Sequence, residues 1–224
     1  PEWFEARRGI PTASEFAPVM ARTPGGKAYG KTRQTYMRKL AGEIVTGKPM
    51  DSYSNGHMDR GHEMEGDARR FYAFMSDATP ELVGFIRNGE KGCSPDSLIG
   101  KSGMLEIKSK APHLLIEWIE KDQFPPEHKA QCQGQLWVAE REWVDIVGYW
   151  PDMPLFVKRE YRDEAYIENM AFEVERFNEE LAGVVEQVRR YGPAWRSRLF
   201  GLTRKRTYHG EEYSHWQALP EPPK

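Results

Sequence analysis

The chain has 224 residues and a formal net charge of −2, because 32 Lys and Arg nearly balance 34 Asp and Glu. This balance excludes a histone-like polycation, the 12% of aromatic residues excludes a disordered chain, and no apolar run approaches the ~18 residues that span a bilayer. The length predicts a single domain, for which we take residues 1–192, followed by a basic tail of residues 193–224.

The first part of the chain is predicted to be mainly helical. Thr12-Ala13-Ser14-Glu15 has the S/T-x-x-E form of a capping box, which predicts a helix beginning there. Two further helices are predicted over Lys31–Val45 and His57–Met75. Asn88-Gly89 then favours a hairpin between Leu82–Arg87 and Lys91–Ser94, because this pair of residues suits a two-residue turn.

Strands and helices alternate in the second part of the chain. The predicted strands are Gly103–Ser109, Trp143–Trp150 and Leu155–Tyr161, and the predicted helices are His113–Lys121 and Pro126–Glu140. A long helix follows, since apolar residues recur every three or four positions at Met170, Val174, Phe177, Leu181, Val184 and Val188. Gly192-Pro193 is predicted to end this helix.

A nucleotide-binding pattern occurs in the basic segment before the second helix. Residues 25–32 fit G-x-x-x-x-G-K-[ST], which cradles phosphates when it joins a buried strand to a helix. The preceding residues contain Pro18 and follow a helix start, so a buried strand is not expected there. A flexible basic loop is the preferred interpretation, and a P-loop nucleotide-binding protein is kept as an alternative.

The most informative chemical pattern is P-D-(x9)-E-x-K, formed by Asp96, Glu106 and Lys108. Side chains alternate along a strand, so Leu105 and Ile107 share one face while Glu106 and Lys108 share the other. The chain before the intervening turn can bring Asp96 opposite them. Two carboxylates on adjoining strands suit Mg2+, and a nearby lysine can orient a water or stabilise charge on phosphorus. The alternative is an ordinary cross-strand salt bridge.

Other residues suit binding of a phosphodiester. Glu65, on the second of the long helices, would add a third carboxylate. Arg7 precedes a helix start that has Ser14 in its first turn, and a guanidinium, a hydroxyl and oriented N–H groups together form an anion pocket. Gln131 adds an amide on another helix. Each residue alone is also compatible with a solvated surface.

Five blocks in order resemble a known family, the phage-type alkaline exonucleases and viral recombinases typified by bacteriophage lambda exonuclease. The blocks are R-x-G-x-x-T-A-S-E, G-x-x-x-E-x-D-A-R, C-S-P-D, L-E-I-K and A-Q-x-Q-x-x-x-W-V. The resemblance extends from Trp3 to Tyr191, and the tail from Pro193 has no counterpart. Ser97 stands where the family has glycine.

The resemblance implies a restriction-endonuclease-like α/β fold of the PD-(D/E)xK type, with a mixed sheet flanked by helices. It implies a Mg2+-dependent, processive 5′ to 3′ exonuclease that acts on double-stranded DNA ends, with Mn2+ able to substitute. It also implies a toroidal homotrimer, a single-strand annealing protein as recombination partner, and the cytoplasm of a phage-infected or prophage-carrying bacterium. Cys93 and Cys132, which form neither a zinc pattern nor a disulfide framework, fit that reducing location.

The same resemblance assigns roles to individual residues. The metal ligands would be Asp96, Glu106, the backbone carbonyl of Ile107, and Glu65, with Lys108 as the catalytic lysine of a two-metal phosphodiester hydrolase. The pocket for the 5′ phosphate would be formed by Arg7, Ser14, Ser94 and Gln131. Arg22, Lys27 and Lys31 match a DNA-contacting loop in position and charge. An endonuclease of restriction or junction-resolving type on the same fold is the alternative function.

Overall fold

The computed structural model describes residues 2–26, 28–50, 56–200, 207–208 and 211–212. Its helices are α1 (Glu2–Arg7), α2 (Phe16–Met20), α3 (Lys31–Thr46), α4 (Gly56–Ser76), α5 (Pro112–Lys121), α6 (Lys129–Ala139) and α7 (Glu164–Phe200), with 3₁₀ turns at Ala13–Glu15 and Pro126–His128. Its strands are β1 (Pro80–Glu81), β2 (Ile86–Asn88), β3 (Lys91–Cys93), β4 (Ser97–Ile99), β5 (Gly103–Ser109), β6 (Trp143–Tyr149), β7 (Phe156–Tyr161), β8 (Thr207–Tyr208) and β9 (Glu211–Glu212).

The centre of the fold is a five-stranded mixed sheet in the order β1-β4-β5-β6-β7. Strands β5 and β6 run parallel, and the other neighbouring pairs run antiparallel. Helices α5 and α6 form the crossover from β5 to β6, since parallel neighbours need a long connection. The expected α/β class, with a mixed sheet flanked by helices, is confirmed.

The middle strand β5 separates two parts of the core. Met104 packs in a cluster with side chains of α5 and α6, whereas Leu105 and Ile107 pack with Tyr72 of α4. The alternation predicted for this strand is therefore confirmed. It places Glu106 on the same face as Met104, towards α6.

A third apolar cluster joins the N-terminal helices to α6 and α7, with Phe16, Leu40 and Phe177 among its buried members. Glycine is required where α6 meets this cluster. A Cβ added to Gly134 would lie 2.5 Å from the Phe16 ring. The missing side chain lets α6 lie against the segment that contains Ser14.

The capping box expected at residues 12–15 does not form. The segment begins as the 3₁₀ turn Ala13–Glu15 before α2, and the Thr12 side chain makes no capping hydrogen bond. The backbone N–H of Thr12 donates instead to the Tyr36 hydroxyl at 3.2 Å, and Thr12 bridges to Gly92 of β3. The N–H that the box requires thus has a tertiary partner.

Two boundary predictions also need correction. The hairpin of β2 and β3 pairs Asn88 with Lys91, so its turn residues are Gly89 and Glu90 rather than Asn88-Gly89, and Gly89 has a φ of 61°. Helix α7 does not end at Gly192-Pro193 but continues to Phe200. A proline removes one backbone hydrogen bond, which a long helix can tolerate with a local distortion.

The buried strand that a P-loop requires before its glycine-rich segment is not formed by the described residues that precede residues 25–32. Helix α2 occupies residues 16–20, and the following segment folds back through a bridge between Arg22 and Tyr29. The residues before α3 therefore form a short loop between two helices, as the preferred interpretation expects.

The chain divides into two compact units, Pro1–Val185 and Glu186–Lys224. The first contains the sheet and the clusters described above. The second contains the last part of α7 and the antiparallel pair of β8 and β9. Among the described residues, no helix is long and apolar enough to cross a membrane.

The half-buried histidine His128 should make the fold sensitive to acid. Burial, with the charges of Lys108 and Lys110, lowers its pKa to about 4, although Glu127 lies 4.0 Å from Nε2. In the unfolded chain the imidazole gains its proton near pH 6.5, whereas in the folded chain it stays neutral until about pH 4. The stability that neutral His128 contributes is therefore fully present above pH 6.5 and is lost as the pH falls towards 4.

When the pH falls from 7.5 to 4.5, we expect the free energy of unfolding of His128→Gln to fall by about 2 to 3 kcal/mol less than that of the wild type. Urea unfolding at the two pH values measures this difference. His113→Gln, at an exposed position on α5, serves as the control and should lose as much as the wild type. Equal acid sensitivity of the His128 variant and the wild type would contradict the prediction.

Candidate active site

Asp96 and Glu106 lie side by side at the junction of β4 and β5. Ser97 pairs with Leu105 in the antiparallel register, so the preceding residue, Asp96, falls opposite Glu106. The Asp96 backbone N–H donates to the Leu105 carbonyl at 3.1 Å, and its Oδ2 accepts from the Ile107 N–H at 2.5 Å. The structure thus brings together the two carboxylates of the P-D-(x9)-E-x-K pattern.

Glu106 is only 3% exposed, yet three side chains donate hydrogen bonds to its carboxylate. Oε1 accepts from Lys108 Nζ at 2.7 Å and from Gln131 Nε2 at 2.6 Å, and Oε2 accepts from Gln135 Nε2 at 2.6 Å. Lys108 Nζ also donates to Gln131 Oε1 at 3.0 Å. A carboxylate has about four acceptor positions. With respect to the described residues, Glu106 therefore keeps one further hydrogen-bond acceptor position, on Oε2.

The charges in this cluster depend on each other. Burial of Asp96, with the nearby charges of Glu106 and Glu65, holds the pKa of its carboxyl well above the usual value, despite the Ile107 N–H and Lys108. Burial alone would lower the pKa of Lys108, but the charge of Glu106 and the hydrogen bond to it outweigh burial, so the pKa is raised. Lys108 is therefore a cation at neutral and alkaline pH.

The donor set fits a hard divalent cation. Asp96 and Glu106 place two carboxylates in a buried site where their mutual repulsion is unfavourable, and a cation would relieve it. Glu65 of α4 is half-buried, and its charge acts on Asp96. No group of three or more His, Cys, Asp or Glu side chains with metal-binding geometry occurs in the described parts of the chain. Mg2+ needs no such group, because it commonly takes one or two carboxylates with waters and phosphate oxygens.

A small cavity of about 60 Å3 lies next to the carboxylates. All four residues expected to hold a phosphate line it, together with five others: Arg7, Ser14, Ser94 and Gln131, then Thr12, Ala13, Phe85, Cys93 and Gln135. A single buried water needs only about 10–15 Å3 by the same kind of measure, so the cavity can hold a larger group. Its lining supplies a guanidinium, hydroxyls and amides, which are the donors that an anion needs.

The residues of the expected DNA-contacting loop have different surroundings. Arg22 forms an ion pair with Glu173 of α7, and its guanidinium lies 3.9 Å from the centre of the Tyr29 ring. Its charge is thus balanced within the chain. Lys31 is exposed at the start of α3. Lys27 lies outside the described residues.

Three residues that contact the site carry no role in the sequence analysis. Arg69 donates from Nη2 to the Asp96 carbonyl at 3.2 Å and from Nε to the Ser97 hydroxyl at 2.8 Å. Ser97 in turn donates to the Asp96 carbonyl at 2.5 Å, so this serine is part of the acidic site. Gln135 holds Glu106 Oε2. A signal for Arg69 and Gln135 was available, since each follows a candidate residue by four positions on a helix.

Comparisons with known proteins show which family and which structures the chain is similar to. The family model of the YqaJ-like viral recombinase domain matches residues 2–142. The crystal structure of an alkaline exonuclease (LHK-Exo) from Laribacter hongkongensis is 34% identical, with a TM-score of 0.78 over 87% of this chain and 98% of that chain. A second structure of that enzyme, in complex with dAMP, matches with the same values.

A phage related exonuclease from Haemophilus somnus 129PT is 13% identical, with a TM-score of 0.62 over 80% of this chain and 96% of that chain, and this shows likeness of fold alone. The expected PD-(D/E)xK-like fold is confirmed by these structures. No curated protein matches the sequence significantly.

Arg69 should support cation binding through its hold on the Asp96 backbone. Arg69→Ala removes one hydrogen bond to the Asp96 carbonyl and one to the neighbouring Ser97 hydroxyl, and loss of such outer contacts typically weakens a metal site by about 10–100-fold. We expect the Kd for Mn2+, measured by calorimetry, to rise by about that factor.

Arg70→Ala is the matched control, because this neighbouring arginine is 78% exposed and pairs only with Asp67 among the described residues. Its Kd for Mn2+ should equal that of the wild type. Ser97→Ala should shift the Kd in the same direction as Arg69→Ala. An Arg69→Ala variant that binds Mn2+ as tightly as the wild type would show that Asp96 needs no such support.

Proposed function

The chain belongs to the YqaJ-like viral recombinase domain family, and we propose that it is a Mg2+-dependent exonuclease that digests one strand of linear double-stranded DNA from the 5′ end. Its membership and its 34% identity to an alkaline exonuclease indicate a DNA exonuclease. The choice of metal, the direction, the processive release of mononucleotides and the use of the remaining 3′ single strand in recombination are the further parts of the proposal.

One observation carries the proposal, namely that two side chains lining the donor-rich cavity, Gln131 and Gln135, are hydrogen-bonded to Glu106 of the acidic pair. Gln131 both lines the cavity and donates to Glu106. A terminal phosphate in the cavity would therefore leave the next phosphodiester beside Glu106 and Lys108. This order of sites explains release of one nucleotide at a time.

The cavity has the chemistry to hold a terminal phosphate monoester. Arg7 and Gln131 offer N–H donors, and Ser14 and Ser94 offer hydroxyls. The Laribacter enzyme has been crystallised with dAMP, a deoxynucleoside monophosphate. We infer that the cavity of this chain takes the 5′ phosphate of the strand that is digested.

Asp96 and Glu106 would hold the metal, with the Ile107 carbonyl and Glu65 as further ligands, and either Mg2+ or Mn2+ suits this oxygen donor set. When bound, the cation supplies Lewis acidity that lowers the pKa of a water and stabilises charge on phosphorus. Gln131 and Gln135 keep the Glu106 carboxylate in one orientation before any ligand arrives.

Lys108 serves as a donor, since its ammonium lies in the acidic site, 2.7 Å from Glu106 Oε1. Its ammonium can orient the attacking water and neutralise the negative charge that develops on the phosphate. The water oxygen forms a bond to phosphorus, and the bond from phosphorus to the 3′ oxygen of the terminal nucleotide breaks. That 3′ oxygen gains the proton that the water loses.

The reaction restores the group that the cavity binds. After each cleavage the next nucleotide carries a new 5′ phosphate, which can occupy the cavity in its turn. Stepwise digestion in the 5′ to 3′ direction follows from this repetition, and it is processive when the enzyme stays on the duplex between cleavages. A homotrimer that encircles the duplex would keep the enzyme on its substrate, and a single-strand annealing protein would receive the 3′ strand in the bacterial cytoplasm.

Exposed cationic side chains outside the cavity should contact the phosphates of the DNA duplex. Lys31 is the described member of the expected loop that suits this role, because Arg22 is already paired with Glu173. Phosphate contacts of this kind contribute affinity that falls with salt concentration.

Lys108→Met should lower kcat by roughly 10²–10³-fold, the effect typical of removing one donor to a transition-state oxyanion. The measurement is release of mononucleotides from 5′-phosphorylated linear duplex at saturating Mg2+. Lys121→Met is the control, because Lys121 is exposed on α5 and pairs with Glu117. A Lys108→Met enzyme with wild-type kcat would overturn the assigned role.

Direction and cofactor are tested on duplexes labelled at either end of one strand. A label at the 5′ end should appear first as a mononucleotide, closed circular duplex should stay intact, and a chelator should stop the reaction until Mg2+ or Mn2+ is restored. Cutting of the circle would favour the endonuclease instead. Early release of the 3′ label would reverse the proposed direction.

A further inference from the structure

Two amides on α6 form the wall between the cavity and the buried carboxylate. Gln131 and Gln135 are one helical turn apart and therefore share a face. Each donates from Nε2 to a different oxygen of Glu106 at 2.6 Å, and each also lines the cavity. Both side chains can therefore contact a ligand in the cavity while they are hydrogen-bonded to Glu106.

The two amides differ in their carbonyl oxygens. Gln131 Oε1 accepts from Lys108 Nζ at 3.0 Å. Gln135 is 1% exposed, and its buried Oε1 has no hydrogen-bond partner among the described residues. Turning the amide over would not help, because Oε1 would then face the negative Glu106 carboxylate. The orientation of Gln135 is therefore determined, and its carbonyl needs a donor.

A buried acceptor without a partner points to a ligand or a water, because buried polar groups in folded proteins are almost always paired. The cavity of about 60 Å3 has room for more than one water. A phosphate monoester loses its second proton near pH 6, so at alkaline pH it brings acceptors only. Oε1 is closed to water in the unliganded chain, but Gln135 lines the cavity, so a small shift of its carbonyl would let a water bound to the phosphate donate to Oε1 and bridge the two groups.

We propose that Gln135 is a positioning residue that couples occupancy of the cavity by a hydrated terminal phosphate to the orientation of Glu106. The inference rests on the proposed function for the class of ligand. With the phosphate present, the bridging water completes the hydrogen bonds of Gln135, and the amide holds Glu106 Oε2 firmly. With a 5′ hydroxyl end, no phosphate fixes that water in place, and the amide holds Glu106 less well.

This coupling predicts that the terminal phosphate raises kcat and does not act on KM alone. Gln135→Met keeps the length of the side chain but removes both the donor and the acceptor. In the wild type, kcat should be higher for 5′-phosphorylated than for 5′-hydroxyl duplex by roughly tenfold, about the contribution of one hydrogen bond. In Gln135→Met the two kcat values should agree within about twofold, near the lower limit of such a contribution.

Gln133→Met is a matched control on the same helix. Gln133 is fully buried and donates to the Tyr161 carbonyl at 2.8 Å and to Glu160, so its amide serves the packing of α6 on β7. Its replacement should lower the thermal midpoint yet preserve the ratio of the two kcat values. The inference would be overturned if Gln135→Met kept the wild-type ratio of kcat on 5′-phosphorylated to kcat on 5′-hydroxyl duplex. It would also be overturned if Gln133→Met lowered that ratio as much as Gln135→Met does.

A second measurement needs neither DNA nor metal. Inorganic phosphate titrated into the ¹⁵N-labelled full chain should shift the side-chain amide resonances of Gln135, identified by their absence in Gln135→Met, in a saturable way. Absence of a shift would overturn the coupling even if the wild type digests duplex DNA as proposed. A saturable shift in a chain that does not digest linear duplex would support the coupling and refute the proposed function.

Discussion

The buried Glu106 carboxylate is the group on which the rest of the site depends. A buried charge is unfavourable unless it is paired and hydrogen-bonded, and here Lys108, Gln131 and Gln135 supply three donors. Two of these donors, Gln131 and Gln135, also line the cavity of about 60 Å3. One set of hydrogen bonds therefore stabilises the charge in the core, orients it towards Asp96 and connects it to the place where the end of a strand would lie.

Packing of α6 makes this arrangement possible. The parallel connection from β5 to β6 lays α6 across the face of the sheet that carries Glu106. The absence of a side chain at Gly134 then lets α6 approach Phe16 and the segment that contains Ser14. Strand β5 supplies the carboxylate, α6 supplies the amides, and the N-terminal segment closes the cavity. Loss of the packing between any two of these elements would separate the cavity from Glu106.

The predictable features are those set by neighbours along the chain. Alternation along β5 separates Glu106 from Leu105, and the spacing from Asp96 to Glu106 is that of two strands joined by a short turn, so both could be predicted. The capping box failed because Tyr36, which is 24 residues from Thr12, takes the N–H that the box requires. The ion pair of Arg22 could not be predicted either, because its partner Glu173 is 151 residues away. Contacts of this kind depend on tertiary packing, which no local pattern records.

The central claim is that one site holds the metal between Asp96 and Glu106 and the terminal phosphate in the adjoining cavity. A crystal structure of the chain with Mn2+ and a 5′-phosphorylated oligonucleotide tests it most directly, because the anomalous signal locates the metal. The account predicts Mn2+ bound by both carboxylates and the terminal phosphate in contact with Arg7 and Ser14. Mn2+ bound elsewhere, or a terminal phosphate outside the cavity, would contradict it.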